Sequence, residues 1–189
     1  MTPEDALKRL IEGNGRYIQD RSQHPNRNAE RREELVAKQE PFAIVLGCSD
    51  SRVSPEIIFD QGVGDLFIVR VAGNVVGPIE LSSVLFAAQY LHSSLIFVLG
   101  HENCGAVQAV LENNTAGIEP IASKIKLVME NNLKYSSNKI ENVVKANVHA
   151  VVSYLAEQPS IAKLIAEKKV SIAGGYYNLG SGKVELLLP

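Results

Sequence analysis

Residues 41–52 read PFAIVLGCSDSR. The run FAIVLG (42–47) is apolar throughout, without the alternation of a half-buried strand, and a polar segment starts directly behind it. A short β-branched run of this kind, bounded by proline and glycine, predicts a strand covered on both faces, as in a parallel sheet. DLFIVRV (65–71) and SLIFVLG (94–100) repeat the pattern. Between those two, Pro78 to His92 carries apolar residues at helical spacing behind a proline start, so the stretch reads as β-α-β with a right-handed crossover.

The rest of the chain fits around that unit. Thr2 is placed to cap a helix that Pro3 opens and Glu4 and Asp5 favour, with Gly13 and Gly15 expected to weaken it. Residues 21–28 read as a polar arm and Ala29 to Gln39 as a second helix ending before Pro41. Further helices are predicted near 104–112, 120–133, 138–156 and 160–168. VSIAGGYYNL and KVELLL, around the Gly180-Ser181-Gly182 turn, close the chain as a strand and an antiparallel edge strand. No repeat or linker divides it. The expected fold is a single α/β domain over 1–189: an N-terminal helical arm (1–40), then a core (41–189) with a mostly parallel central sheet flanked by helices.

Composition narrows the function. The 189 residues are 46% hydrophobic and 21% charged with a net charge of −2, which leaves no basic footprint for nucleic acid. The cluster Arg27 to Arg32 is interrupted by Glu30 and followed by Glu33 and Glu34. No apolar stretch approaches the roughly 18 residues of a membrane span. Charged residues follow Met1 where a secretory signal would be apolar, so a cytoplasmic protein with reduced thiols is expected.

Chemistry gathers behind the strands. In open α/β sheets, sites form outside the carboxyl ends of strands. Cys48 follows FAIVLG, and His101 and Cys104 follow SLIFVLG within GHENCGAV. If the two strands are neighbours, two thiols and an imidazole converge, a set suited to zinc that leaves a fourth tetrahedral position open. Gly105 lets the backbone pass close to whatever they hold. Taken singly, a buried thiol is more often a small core hydrophobe, and a disulfide or redox pair is also open. His24, His92 and His149 have no matching thiol and are assigned to the surface or to helix packing.

CSDSRV and HENCGAV together resemble the β-class carbonic anhydrases, whose signature is C-x-D-S-R followed some fifty residues later by H-x-x-C. GNGRY (13–17), GDLFIVRVAGN (64–74) and GGYYNLGSGKVELL (174–187) extend the resemblance over nearly the whole chain. It implies one Zn²⁺ per chain held by Cys48, His101 and Cys104, and reversible hydration of CO2 to bicarbonate by zinc-bound hydroxide. Asp50 and Arg52 are implied as the catalytic dyad. Asp50 becomes a metal ligand only in a closed state, so activity should rise from neutral to mildly alkaline pH. A homodimer is implied, in some members paired into tetramers, with the N-terminal helices embracing the partner.

In the plant-like type, a glutamine nine residues before the first cysteine and a phenylalanine nineteen after it line the pocket; here they are Gln39 and Phe67. A tyrosine of the family, fifteen residues before the histidine ligand, is Phe86 here, which keeps the ring and loses the hydroxyl. Gly105 completes the expected substrate-binding set. The tryptophan of the bicarbonate-regulated type is replaced by Val45, and the chain has no tryptophan, so no inhibitory bicarbonate site is expected although Arg70, Tyr176 and Tyr177 remain. Two alternatives stand beside this reading: hydrolysis of a CO2-like heterocumulene (CS2 or COS) at the same site, and a non-catalytic zinc or thiol module.

Overall fold

The computed structural model describes residues 1–132 and 139–188. The elements run α1 (Pro3–Ile18), α2 (Ala29–Glu34), β1 (Ala43–Gly47), α3 (Pro55–Ile58), β2 (Leu66–Arg70) and a 3-10 turn (Ala72–Asn74). They continue with α4 (Pro78–Gln89), β3 (Leu95–His101), α5 (Gly105–Leu111), α6 (Glu119–Asn132), α7 (Lys139–Ala156), α8 (Pro159–Ala166), β4 (Ser171–Tyr177) and β5 (Val184–Leu188). Residue 133 of the helix expected over 120–133, and residue 138 of that over 138–156, lie outside the described residues.

The strands form one sheet in the order β2-β1-β3-β4-β5. All neighbours are parallel except β5, which runs antiparallel to β4. The alternating side chains of β1 and β3 explain their continuous apolarity. Ala43, Val45, Leu95, Phe97 and Leu99 pack on one face with Ala6 and Leu10 of α1 and with Phe59. Ile44, Leu46, Ile96 and Val98 pack on the other with α4, α7 and α8, through Val84, Ala87, Val148, Val151, Leu155 and Ile161. Each fully buried Ile, Leu or Phe contributes about 1.5–3 kcal/mol. Because β1 lies between β2 and β3, the chain leaves β1 to one side and returns on the other. The strand order therefore switches between β1 and β3 at their carboxyl ends.

The α1 cap is as expected: Thr2 Oγ1 accepts the Asp5 N–H at 3.1 Å, with Pro3 at the first helical position. Gly13 does not break the helix. It lets α1 approach the α3 segment, where a Cβ would stand 1.8 Å from the Phe59 carbonyl oxygen. The second helix is shorter than expected, ending at Glu34 rather than Gln39, because α2 buries no residue and Leu35 turns away to pack over Gly64. The four-residue α3 and the 3-10 turn are too short to show a period in sequence.

The polar arm is tied down within its own chain. Asp60, its side chain fully buried, accepts the backbone N–H of Gln23 and His24 and the Arg16 Nε–H. Asp65 accepts from Arg9 Nη2, Asn26 Nδ2 and the Gly62 N–H. The apolar side of α1 covers the sheet of its own chain through Ala6 and Leu10. No helix among the described residues is long and apolar enough to cross a membrane.

Burial alone would raise the Asp60 carboxyl, but the Gln23 N–H, the Arg16 guanidinium and the His24 N–H outweigh it and hold it below its ordinary range. A carboxyl depressed in the folded state contributes stability above its unfolded pKa of about 4 and loses it as pH falls through the folded value. Asp60→Asn is therefore expected to lower the urea unfolding free energy by about 2–3 kcal/mol at neutral pH. The difference should shrink as pH drops below about 4; a constant gap would assign the stability to something other than this charge.

Candidate metal centre

Cys48 is the first residue after β1, and His101 is the last residue of β3. The parallel register sets Gly47 beside Leu99, so the strand ends bring the thiol and the ring to one point. Cys104 precedes Gly105, the first residue of α5, and closes the group from the turn beyond β3. One ligand atom from each of Cys48, His101 and Cys104 lies within 4.8 Å of the others, and all three residues are buried.

The donor chemistry fits a metal cation. The Glu102 carbonyl oxygen lies 2.8 Å from His101 Nδ1 and can only accept, so Nδ1 carries the proton and Nε2 presents a lone pair. That Nε2 is buried without a hydrogen-bond partner. Cys48 Sγ accepts the Gly73 N–H at 3.3 Å. Its thiol is held well below the ordinary range, chiefly by a hydrogen bond with Cys104 and further by the backbone N–H groups of Gly73 and Asp50, while burial opposes the shift. Cys104 is pushed up by the same contact and by burial. The Cys48 thiol is thus biased toward the thiolate, the form that binds a cation. Two ligands at zinc bond lengths in tetrahedral geometry stand about 3.6–3.8 Å apart, which the observed spacing accommodates.

Asp50 and Arg52 form a two-pronged ion pair beside this cluster. Arg52 Nε donates to Oδ1 at 2.9 Å and Nη2 to Oδ2 at 2.7 Å, while the Arg52 backbone N–H also reaches Oδ1 at 3.0 Å. The Arg52 hydrogen bonds, against the effect of burial, hold the Asp50 carboxyl far below its usual range. Oδ2 stands 3.9 Å from the orphaned His101 Nε2.

A sequence profile of the family described as carbonic anhydrase matches residues 43–184. The chain belongs to that family. Carbonic anhydrase 2 of Mycobacterium tuberculosis is 38% identical over 97% of this chain and 92% of its own length. A Coccomyxa β-carbonic anhydrase solved in complex with acetazolamide superposes with a TM-score of 0.77 at 28% identity, covering 96% of this chain and 86% of that one. A tetrameric β-carbonic anhydrase of Sordaria macrospora shares the fold, with a TM-score of 0.78 at 23% identity over 97% of both chains. The chain is of the β class.

The other residues expected from the β-carbonic anhydrase resemblance are placed apart from the cysteines. Phe67 lies opposite Ile44 in β2, four residues before Cys48, or roughly 13 Å along the strand. Its ring meets Phe86 at 6.3 Å, and Phe86 meets the exposed Tyr90 at 5.6 Å. Gln39 is exposed on the irregular segment before β1. Gly105 does adjoin the cluster, and the space a Cβ would occupy there is open. His24, His92 and His149 are exposed.

Two contributors were not assigned to this centre from sequence: Gly73 was not named at all, and Arg70 was named only in connection with a bicarbonate site not expected here. Gly73, at φ 74°, turns its N–H onto Cys48, and the only signal for it was a glycine in VAGN. Arg70 closes β2 and donates to two carbonyls of the loop after β1.

The purified protein is expected to carry one zinc per chain by elemental analysis, with Cys104→Ser and His101→Ala each lowering the zinc affinity by orders of magnitude. A protein that folds and purifies without metal, yet keeps both thiols titratable, would point to a thiol module.

Proposed function

We propose that this chain catalyses the reversible hydration of CO2 to bicarbonate and a proton at a zinc ion held by Cys48, His101 and Cys104. The observation that carries this reading is the juxtaposition of a buried Cys-His-Cys set with an ionised, arginine-bound carboxylate 3.9 Å from the ligand nitrogen. When bound, zinc supplies the acidity that makes water a nucleophile at moderate pH.

The chain's own residues do the rest. The Glu102 carbonyl fixes the His101 tautomer and ring orientation, and the Gly73 N–H steadies Cys48 as a thiolate. Asp50, kept ionised by Arg52, accepts a hydrogen bond from the attacking solvent and orients it. By holding both carboxylate oxygens, Arg52 also keeps Asp50 off the metal, so the fourth position stays available. Neither residue would be needed for a metal that only stabilised the fold.

Gln39, Phe67 and Phe86 cannot reach this centre from their own chain. The position of Phe67 and Phe86 on the β2–α4 side, with Tyr90 and Ile79 exposed on α4 and its end, supports a homodimer in which they and the exposed Gln39 line the pocket of the partner chain. The same reading extends to a tetramer made of two such dimers.

Stopped-flow CO2 hydration with zinc measured on the same sample tests the assignment. Asp50→Asn should lower the rate by about 10²-fold or more with zinc content unchanged. Equal rates would remove the dyad and leave the metal. A zinc-loaded wild type inactive on CO2 but active on CS2 would move the substrate to the heterocumulenes.

A further inference from the structure

The loop from Cys48 to Asp50 carries both a metal ligand and the orienting carboxylate, and the end of β2 grips it at successive carbonyls. The Val71 N–H bonds the Gly47 carbonyl oxygen at 3.1 Å, a last rung of the sheet ladder. Beyond that rung a side chain takes over. Arg70 Nε donates to the Cys48 carbonyl at 3.0 Å, and Arg70 Nη2 to the Asp50 carbonyl at 2.7 Å. Arg70 makes no carboxylate ion pair among the described residues, so its charge is directed at these two backbone oxygens. A planar guanidinium presents its donors in a fixed fork and can hold two carbonyls at once, whereas an ammonium is a single point donor.

We propose that Arg70 is a positioning residue that pins the loop 48–50 and thereby holds Asp50 against Arg52 and off the metal. This rests on the metal-site reading above. The geometry leaves little margin: Asp50 Oδ2 is already 3.9 Å from His101 Nε2, so a small shift of the Asp50 main chain would carry the carboxylate to an ion bound there. The Asp50–Arg52 pair is a local contact between residues two apart, with Arg52 half exposed at 52%. It fixes the side chains relative to each other and, through the 3.4 Å contact of Arg52 Nη2 with the Asn103 carbonyl, to the turn beyond β3, but it does not tie the loop main chain to β2. Arg70 supplies that second constraint, from a strand across which β1 is hydrogen-bonded.

Cobalt substitution reads the fourth position directly. Co²⁺-loaded wild type, Arg70→Lys and Arg70→Ala would be titrated with thiocyanate at fixed pH while the cobalt d–d absorption is followed. A carboxylate on the metal excludes the anion, so apparent thiocyanate affinity falls in proportion to the open fraction. We expect a loss of about tenfold or more in both variants. Adding Asp50→Ala to Arg70→Ala should restore binding, which a merely structural role for Arg70 would not do. Wild-type affinity in the Arg70 variants, or no restoration in the double variant, would overturn the proposal. Failure of the wild type to take up cobalt would overturn the metal reading itself. Should Arg70→Ala not fold, Arg70→Lys, with charge and length kept, decides the question.

Discussion

Hydrogen-bonded parallel pairing of β1 with β3 is the interaction on which the candidate centre depends. The register that sets Gly47 beside Leu99 brings Cys48 and His101, distant in sequence, to the same end of the sheet. A slip of one residue would turn every side chain of one strand to the opposite face. Because both faces of β1 and β3 are apolar and buried, a slip is opposed by the fit of the side chains within the two layers rather than by exposure of apolar surface. The stability of the apolar sheet and the placing of the polar cluster thus come from one set of contacts.

That cluster is costly to bury as it stands. An imidazole nitrogen without a partner lies beside Cys48 and Cys104, two sulfurs packed into a core cluster with Val75, Val107, Val143 and Val144. An unsatisfied buried acceptor costs about 1–3 kcal/mol. A cation that satisfies all three donors removes that cost, which couples metal binding to folding. The remaining electrostatics is arranged so that charge around the centre is matched locally: Arg52 on the Asp50 carboxylate, backbone N–H on the Cys48 sulfur, and Arg70 on the loop carbonyls.

Carboxylates also organise the far end of the molecule, where Asp60 and Asp65 gather the N-terminal arm and two α1 arginines by charge-assisted hydrogen bonds. The arm is thereby held to its own chain. The aromatic group of Phe67, Phe86 and Tyr90 lies along the same edge of the sheet, on the exposed side of β2 and α4. The division of a substrate pocket between two chains, which the proposed dimer requires, follows from a strand order that puts β2 at an edge.

Local chemistry was legible in the amino-acid sequence. Runs such as FAIVLG and SLIFVLG announced buried parallel strands because covering both faces removes alternation. Asp50 and Arg52 were legible as a pair because residues two apart on a loop can meet without help from the rest of the fold. The three ligands could be named from chemistry and their position behind strands. Their convergence needed the strand order, as did everything reached across it: the Gly73 N–H on Cys48, the Arg70 fork on the 48–50 loop, and the close approach that requires glycine at position 13. The length of α2 was misjudged because its pattern is helical but nothing packs on it. Periodicity and residue chemistry act over one or two turns of chain. Hydrogen bonds between residues some twenty or more positions apart are set by which strands lie side by side, and only the tertiary structure decides that.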